Sequence, residues 1–361
     1  MDNISESVFT EVPTTEEVVD NPSLLTVIFE LTPKSWYAIR DQITIQEITQ
    51  ALLVLLNAHL ALNNSNQVAF IASLPSGSKF LHPNLENLFD DHETRPESHL
   101  VNKEMYRQFR IVDETVLREL NAELIRITQN PEKQNLSTLG GALLMALTYT
   151  NRMLHVDQSI STTTASAINS TTNKAQNSSS ANGQTTTILT TSMDSRVLII
   201  TANDTYDNNY IAIMNSIFAA QKMKLSIDVA KLGVQDSPYL QQAADATNGV
   251  YLHIREPQGL IQTLSTAFFI EPSIRSLVIL PANSNVNYKA SCFITGKAVD
   301  IGYVCSVCLC IMSLIPELGE CPTCKSKFDE DFLKKLRRGP VIARKKRKVD
   351  ENGEKEKTAE A

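Results

Sequence analysis

The chain has 361 residues, 42% of them apolar, which is enough to bury the core of one ordinary domain and leaves room for a small module. Its net charge is −7, but nine basic residues and no acidic one lie between positions 334 and 348. Without those nine, 24 of the 33 basic residues remain against 40 acidic ones, and so acidic a body argues against general nucleic-acid binding. The N-terminus lacks the apolar run of a signal peptide, and the apolar run at 51–62 is too short to cross a membrane, so we expect a soluble intracellular protein.

The first predicted elements are two strands with a helix between them. Residues 1–20 are polar and acidic and are expected to be disordered. Leu24–Leu31 and 67–73 are apolar runs rich in β-branched residues, which is typical of buried strands. The segment 43–63 is predicted to be a helix because its apolar side chains and one histidine recur at helical spacing. These residues are Ile45, Ile48, Leu52, Leu55, Leu56 and His59.

Two further helices and a polar insertion follow. Asp113 is the predicted N-cap of one helix, and Ser137 is the predicted N-cap of the next, which ends near His155. Residues 157–194 are almost wholly Ser, Thr, Asn, Gln and Ala, a composition that cannot offset the entropy cost of ordering. We expect a disordered loop inserted within one domain, because long surface insertions cost little free energy. A linker between two small domains is the alternative.

The second half of the domain alternates strands with helices. The predicted strands are 196–201, 224–230 and 249–253, and the predicted helices are 208–222, 238–247 and 257–269. Such alternation predicts an α/β domain with a mostly parallel sheet and helices on both faces. We expect this domain to span residues 21–275.

Four cysteines near the C-terminus form two CxxC pairs, Cys305 with Cys308 and Cys321 with Cys324, separated by twelve residues. Two such knuckles can complete a tetrahedral site with four cysteine ligands, which we place in a module at 286–332. A filled shell leaves no position for water or substrate, so the site is predicted to hold one structural zinc ion. An iron–sulfur cluster and buried free thiols are the alternatives.

Two more cysteines complicate the ligand set. Cys310 stands two residues after the first pair, and Cys292 lies upstream of it. Either could substitute as a zinc ligand, but a second complete site would need two further ligands. The segment does not supply the eight ligands of a RING-type ubiquitin ligase.

The end of the first strand resembles the metal loop of a von Willebrand A domain, whose metal-binding version reads Asp-x-Ser-x-Ser. By this resemblance Glu30 replaces the Asp, Thr32 keeps a hydroxyl and Lys34 replaces the last Ser. An ammonium at that place is expected to prevent Mg²⁺ binding. Thr138 and Asp204 stand where the other metal-loop residues would be, and we expect them to be capping and turn residues.

The altered metal loop at 30–34 and the segment 302–309 (GYVCSVCL) together resemble one protein family. This family consists of the smaller of the two von Willebrand A subunits of transcription factor TFIIH, which also carries a zinc finger. The resemblance covers about 24–332 apart from the insertion. Supporting phrases are 218–222 (FAAQK), 240–243 (LQQA), 249–252 (GVYL), 280–281 (LP) and 292–293 (CF).

The resemblance implies a non-catalytic structural subunit of the TFIIH core, acting in RNA polymerase II transcription initiation and nucleotide excision repair. It implies contact with the larger von Willebrand A subunit, which has a zinc-binding region, and with the helicase subunits. No membrane or small-molecule substrate is expected. An independent nucleic-acid-binding zinc ribbon is the rival hypothesis, but no Lys or Arg lies between Cys305 and Cys324. A von Willebrand A adaptor in another nuclear complex is a third.

The tail at 333–361 carries a compact basic run. Its residues are Arg344, Lys345, Lys346, Arg347 and Lys348. Such a run predicts nuclear import. A solvated charge run or a contact with DNA phosphates is the alternative.

Overall fold

A computed structural model describes residues 21–84, 101–102, 104–129, 138–172, 193–204, 210–272, 274–275, 277–278, 286–296, 298–316 and 319–337. The chain divides into two compact units, Met1–Lys289 and Ala290–Ala361. The predicted domain at 21–275 ends fourteen residues before the end of the first unit, and the predicted module at 286–332 begins four residues before the second.

A six-stranded sheet forms the centre of the first unit. Its strands are β1 (Ser23–Glu30), β2 (Gln67–Leu74), β3 (Gly77–His82), β4 (Asp194–Thr201), β5 (Ser226–Lys231) and β6 (Tyr251–His253). They are ordered β3-β2-β1-β4-β5-β6, and all neighbours are parallel except β2 and β3, which are antiparallel. Every residue of β1 is buried because this strand lies at the centre of a sheet that is covered on both faces.

Helices cover the sheet. They are α1 (Pro33–Ala38), α2 (Ile45–Leu62), α3 (Arg107–Gln129), α4 (Leu139–Thr172), α5 (Tyr210–Lys222), α6 (Pro238–Ala246) and α7 (Leu260–Thr263), the last continuing as a π-helical turn to Phe268. The helices α2, α3 and α7 share one core with Leu25, Val27 and Phe29 of β1. The intervening residues of β1 point to the opposite face, and α4 contacts the sheet there together with α5. The predicted α/β class is therefore confirmed.

Helix α2 begins at a capping box formed by Thr44 and Glu47. The Glu47 N–H donates to Thr44 Oγ1 at 3.2 Å, and the Thr44 N–H donates to the Glu47 carboxylate at 2.9 Å. Among the described helices, this 18-residue one alone is apolar and long enough to cross a membrane, although 44% of it is buried in the fold. The run at 51–62 is therefore part of the helix predicted at 43–63, which the structure places at Ile45–Leu62. Ile48 and Leu52 are fully buried in the core.

Two helix boundaries differ from the prediction. Helix α3 begins at Arg107, so Asp113 is not an N-cap but a buried residue whose carboxylate accepts hydrogen bonds of 3.1 and 3.2 Å from Asn57. Helix α4 continues past His155 to Thr172, into the predicted disordered insertion, because this stretch contains no Gly or Pro to end it. Residues 173–192 of the insertion lie outside the described residues, as does Ser137, and Asp194 at its end is already part of β4.

The second unit contains, within its described residues, two two-stranded antiparallel sheets and one helix. Strand β7 (Ala290–Ser291) pairs with β8 (Ala298–Val299), β9 (Tyr303–Val304) pairs with β10 (Ile311–Met312), and helix α8 is Glu330–Arg337. Among its described residues, Cys305, Met312 and Cys321 form a small buried cluster. A cluster with so few apolar side chains is typical of small domains that gain much of their folding free energy from a bound metal.

Candidate metal centre

Two copies of one backbone turn hold the CxxC cysteines. The N–H of Leu309 donates to the Cys305 carbonyl at 2.9 Å, and the N–H of Lys325 donates to the Cys321 carbonyl at 2.9 Å. Leu309 and Lys325 also share a left-handed backbone conformation, with φ of 59° and 57°. Because the two turns match, each presents its sulfurs in the same way.

The sulfurs of the four predicted ligands lie together. Cys305 Sγ is 3.7 Å from Cys324 Sγ, and Cys308 Sγ is 3.5 Å from Cys321 Sγ. Four thiolates about 2.3 Å from one zinc ion would lie about 3.8 Å apart, so these separations fit a tetrahedral site. Among the described cysteines, the sulfurs of Cys305, Cys308, Cys310 and Cys321 all lie within 4.8 Å of one another, and Cys324 is not in that set. The Cys310 sulfur lies 3.3 Å from Cys321 Sγ.

Backbone amides stabilise the thiolate forms of two predicted ligands, Cys305 and Cys321. The Cys310 N–H lowers the pKa of Cys308, but burial and hydrogen bonds with the neighbouring thiols raise that pKa overall. The N–H groups of Cys308 and Val307 donate to the Cys305 sulfur and lower the pKa of that thiol. Burial raises the pKa of the Cys321 thiol, but the N–H groups of Cys324 and Thr323 outweigh it and bring the pKa to about 6. Thiol sulfur is the donor that tetrahedral zinc favours, so the donor set fits the metal.

Cys292 lies apart from this cluster. It opens a third turn of the same type, in which the Gly296 N–H donates to the Cys292 carbonyl at 2.8 Å and Gly296 has φ of 69°. Thr295 occupies the place of the second cysteine. The Cys292 sulfur accepts hydrogen bonds of 3.1 Å from both the N–H and the hydroxyl of Ser313. Burial raises the Cys292 pKa, but hydrogen bonds from Ser313 and Thr295 lower it to about 6.

At the carboxyl end of the sheet, Glu30 is enclosed by hydrogen-bond donors. Glu30 and Thr201 lie side by side on the adjacent parallel strands β1 and β4, and Glu30 is 2% exposed. The Thr201 hydroxyl donates to one carboxylate oxygen at 2.5 Å. Asn203 Nδ2 donates to the other oxygen at 3.0 Å, and the Thr32 hydroxyl lies 3.4 Å from it. The carboxylate therefore already has partners within the fold.

A buried ammonium does occupy this edge, but it belongs to Lys231 and not to Lys34, which is exposed. Lys231 pairs in register with Thr201 and has no exposed side-chain surface. Its Nζ lies 2.6 Å from Asp204 Oδ1. Burial lowers the Lys231 pKa, while the Asp204 and Glu30 carboxylates oppose that shift.

Asp204 is a turn residue, as expected, and it also neutralises Lys231. Its carboxylate accepts hydrogen bonds from the N–H groups of Val234 and Gln235 at 3.0 and 3.1 Å. Burial raises the Asp204 pKa, but the hydrogen bonds from Lys231 and these amides lower it overall. A methyl group at Gly233 would overlap both charged groups, so only glycine fits at that position of the turn. Lys231 was not among the predicted site residues, although a lysine at the end of an apolar strand is a signal that the sequence offers.

Thr138 has the capping role expected of it. It immediately precedes α4, and its carbonyl accepts the Ala142 N–H at 3.1 Å. Its hydroxyl donates to the Leu74 carbonyl at 2.7 Å and lies 3.0 Å from the Ser73 hydroxyl. These contacts tie the start of α4 to the end of β2.

The fold and the two sites define a class of protein. It has a von Willebrand A-like domain with an internal ion pair at the carboxyl end of its sheet, and the chain continues into a cysteine-rich module. Residues 22–325 match the family model described as "Transcription factor Tfb4", and the chain belongs to that family. The resemblance read from the sequence is thereby confirmed.

Named relatives match over nearly the whole chain. The general transcription and DNA repair factor IIH subunit TFB4 of Debaryomyces hansenii is 63% identical, covering 98% of this chain and 97% of the relative. The subunit of the same name from Saccharomyces cerevisiae is 40% identical, covering 96% and 98%. Among solved structures, the TFIIH p34 N-terminal domain is 28% identical with a TM-score of 0.51, covering 68% of this chain and 98% of that one.

Proposed function

We propose that this protein is a non-catalytic structural subunit of the TFIIH core complex, acting in RNA polymerase II transcription initiation and nucleotide excision repair. The observation that carries the proposal is the 63% identity to a TFIIH subunit over 98% of the chain. Because that match spans both units, both are proposed to serve the same assembly. An independent zinc ribbon or an adaptor of a different complex is not favoured, since the relatives share one name.

The carboxyl edge of the sheet supports a non-catalytic role. Open α/β sheets bind ligands outside the carboxyl ends of their strands. Here Glu30 is hydrogen-bonded to Thr201 and Asn203, and Asp204 is paired with Lys231. These polar groups therefore satisfy one another, and the edge is suited to holding the loops of a docking domain in shape.

The second unit is proposed to hold one structural zinc ion through Cys305, Cys308, Cys321 and Cys324. The ion would crosslink the two turns and supply most of the folding free energy of the unit. We further propose docking to the larger von Willebrand A subunit and assembly with the helicases. Nuclear import is proposed to use the basic run 344–348, which lies outside the described residues and could also contact DNA.

Affinity purification of the tagged chain from a nuclear extract, followed by quantitative mass spectrometry, tests the proposal. We expect the larger von Willebrand A subunit and both TFIIH helicases to be recovered in amounts comparable to the tagged chain. Recovery of the subunits of another nuclear complex in their place would favour the adaptor hypothesis. Recovery of nucleic acid without TFIIH subunits would favour the ribbon.

A further inference from the structure

Cys310 and Ser326 occupy the same position in the two turns. Cys310 is the sixth residue counted from Cys305, and Ser326 is the sixth counted from Cys321. The Cys305 N–H donates to the Cys310 carbonyl at 3.0 Å, and the Cys321 N–H donates to the Ser326 carbonyl at 2.9 Å. The two side chains therefore start from equivalent points of the backbone.

Their side-chain contacts are equivalent too. Ser326 Oγ lies 3.1 Å from Cys324 Sγ, in its own turn, and 3.6 Å from Cys305 Sγ, in the other turn. Cys310 Sγ lies 3.3 Å from Cys321 Sγ, across the turns, and also interacts with Cys308, in its own turn. Each side chain thus reaches the second cysteine of its own turn and the first cysteine of the other.

We propose that Cys310 is a positioning residue that donates its S–H to the ligand sulfurs, that Ser326 donates its hydroxyl in the same way, and that Cys310 is not itself a ligand. This inference rests on the metal site proposed above. If Cys310 replaced Cys324 as the fourth ligand, the second turn would supply one ligand and the first turn three. The matching geometry of the two turns would then not be reflected in the set of metal ligands.

The metal content and Co²⁺ spectrum of the full chain test this assignment. Thiolate-to-Co²⁺ charge-transfer absorption grows with the number of bound thiolates. We expect Cys310→Ser to retain one metal ion per chain and the full absorption of the wild type, and Cys324→Ser to lose about a quarter of it, as one ligand of four. The double variant Cys310→Ser/Ser326→Cys should keep the wild-type spectrum, because it only exchanges equivalent positions.

Chelator competition then measures the positioning effect. Removing an outer hydrogen-bond donor lowers metal affinity by about 10- to 100-fold, so Cys310→Ala and Ser326→Ala should each bind zinc at least about tenfold more weakly. Cys310→Ser should restore most of that loss because it retains a donor. Fluorescence of Trp36, which lies in the first unit, shows that each variant's larger domain is folded.

Three results would overturn the inference. They are loss of a quarter of the absorption in Cys310→Ser, full absorption in Cys324→Ser, and unchanged zinc affinity in Cys310→Ala. A wild-type chain that binds no stoichiometric zinc would instead refute the metal site itself. The wild-type measurement therefore separates failure of the inference from failure of the site on which it rests.

Discussion

Removing either partner of the Lys231–Asp204 pair tests whether this pair stabilises the carboxyl end of the sheet. Deleting one partner of a buried ion pair costs about 3–5 kcal/mol, because the remaining charge has no partner. Lys231 has no exposed side-chain surface, whereas Asp204 is 27% exposed. Asp204→Asn leaves the fully buried ammonium and should cost about 3–5 kcal/mol. Lys231→Met leaves a carboxylate that water and two backbone amides can solvate, and should cost less, about 1–3 kcal/mol.

Urea unfolding of the full chain, monitored by tryptophan fluorescence, measures these changes in the free energy of unfolding. Trp36 is the only tryptophan, is 5% exposed and donates from Nε1 to the Glu30 carbonyl at 2.6 Å, so it reports on this edge. The double variant should lose less than the sum of the two single losses, because the pair interacts directly. Lys34→Met is the matched control and should change stability by about 0.5 kcal/mol or less, since Lys34 is exposed.

Two results would refute this reasoning. One is a neutral Lys231→Met combined with additive single and double variants, which would mean that the ion pair contributes nothing measurable. The other is a loss in Lys34→Met as large as in Lys231→Met. That result would restore the sequence-based assignment of the ammonium to Lys34.

Three further predictions concern metals and pH. Millimolar Mg²⁺ should leave the melting temperature of the wild type unchanged. It should raise the melting temperature of Lys231→Ser, in which two carboxylates lose their ammonium partner. An equal response of the two proteins would argue against the idea that the Lys231 ammonium takes the place of a metal cation. The double variant Cys305→Ser/Cys321→Ser, which removes one ligand from each turn, should lose bound zinc and unfold the second unit, while the Trp36 transition stays unchanged; retained zinc would mean that the ligands are misassigned. Burial, with a smaller effect of Arg196, lowers the pKa of His59 to about 4. Because the unfolded imidazole binds a proton near pH 6.5 and the folded one does not, stability should fall by about 2 kcal/mol between pH 7.5 and 5, and His59→Gln should remove that part of the loss. An identical pH profile for wild type and His59→Gln would contradict this role of His59.

Much of the fold could be predicted from the sequence because its strongest signals are local. The apolar run at β1, the alternation after β4 and the helical stripe of α2 each depend on short-range periodicity. Strand β3 and helix α1 were not predicted. The strand β3 is a half-buried edge strand with weak alternation, and α1 is a six-residue helix that starts at Pro33. Such short elements are stabilised by their tertiary contacts more than by propensity.

Residues whose partners come from distant parts of the chain could not be assigned from spacing. Asp113 looked like an N-cap, but its hydrogen-bond partner is Asn57, fifty-six positions away. Lys34 is the lysine that lies within the first loop of the sequence, whereas the ammonium that meets Asp204 comes from Lys231, at the end of another strand. Parallel strands bring such residues together only after the sheet has formed.

The cysteine pairs could be recognised in the sequence because each pair lies in one local turn. Their role as the zinc ligands stays a prediction. The spacing did not reveal what Cys292 and Cys310 do. Cys292 opens a turn like the others, but Ser313 holds its sulfur away from the cluster. Cys310 and Ser326 can be recognised as equivalent only when the hydrogen bonds of the two turns are compared.

Immunodepletion of this protein from a nuclear extract tests the central claim most directly. The depleted extract is assayed for promoter-dependent transcription by RNA polymerase II and for excision of damaged DNA. We predict that both activities are lost, that the TFIIH helicases are depleted together with this chain, and that adding back the purified complex restores both activities. An extract that is cleared of this chain but keeps both activities and its helicases would contradict the account.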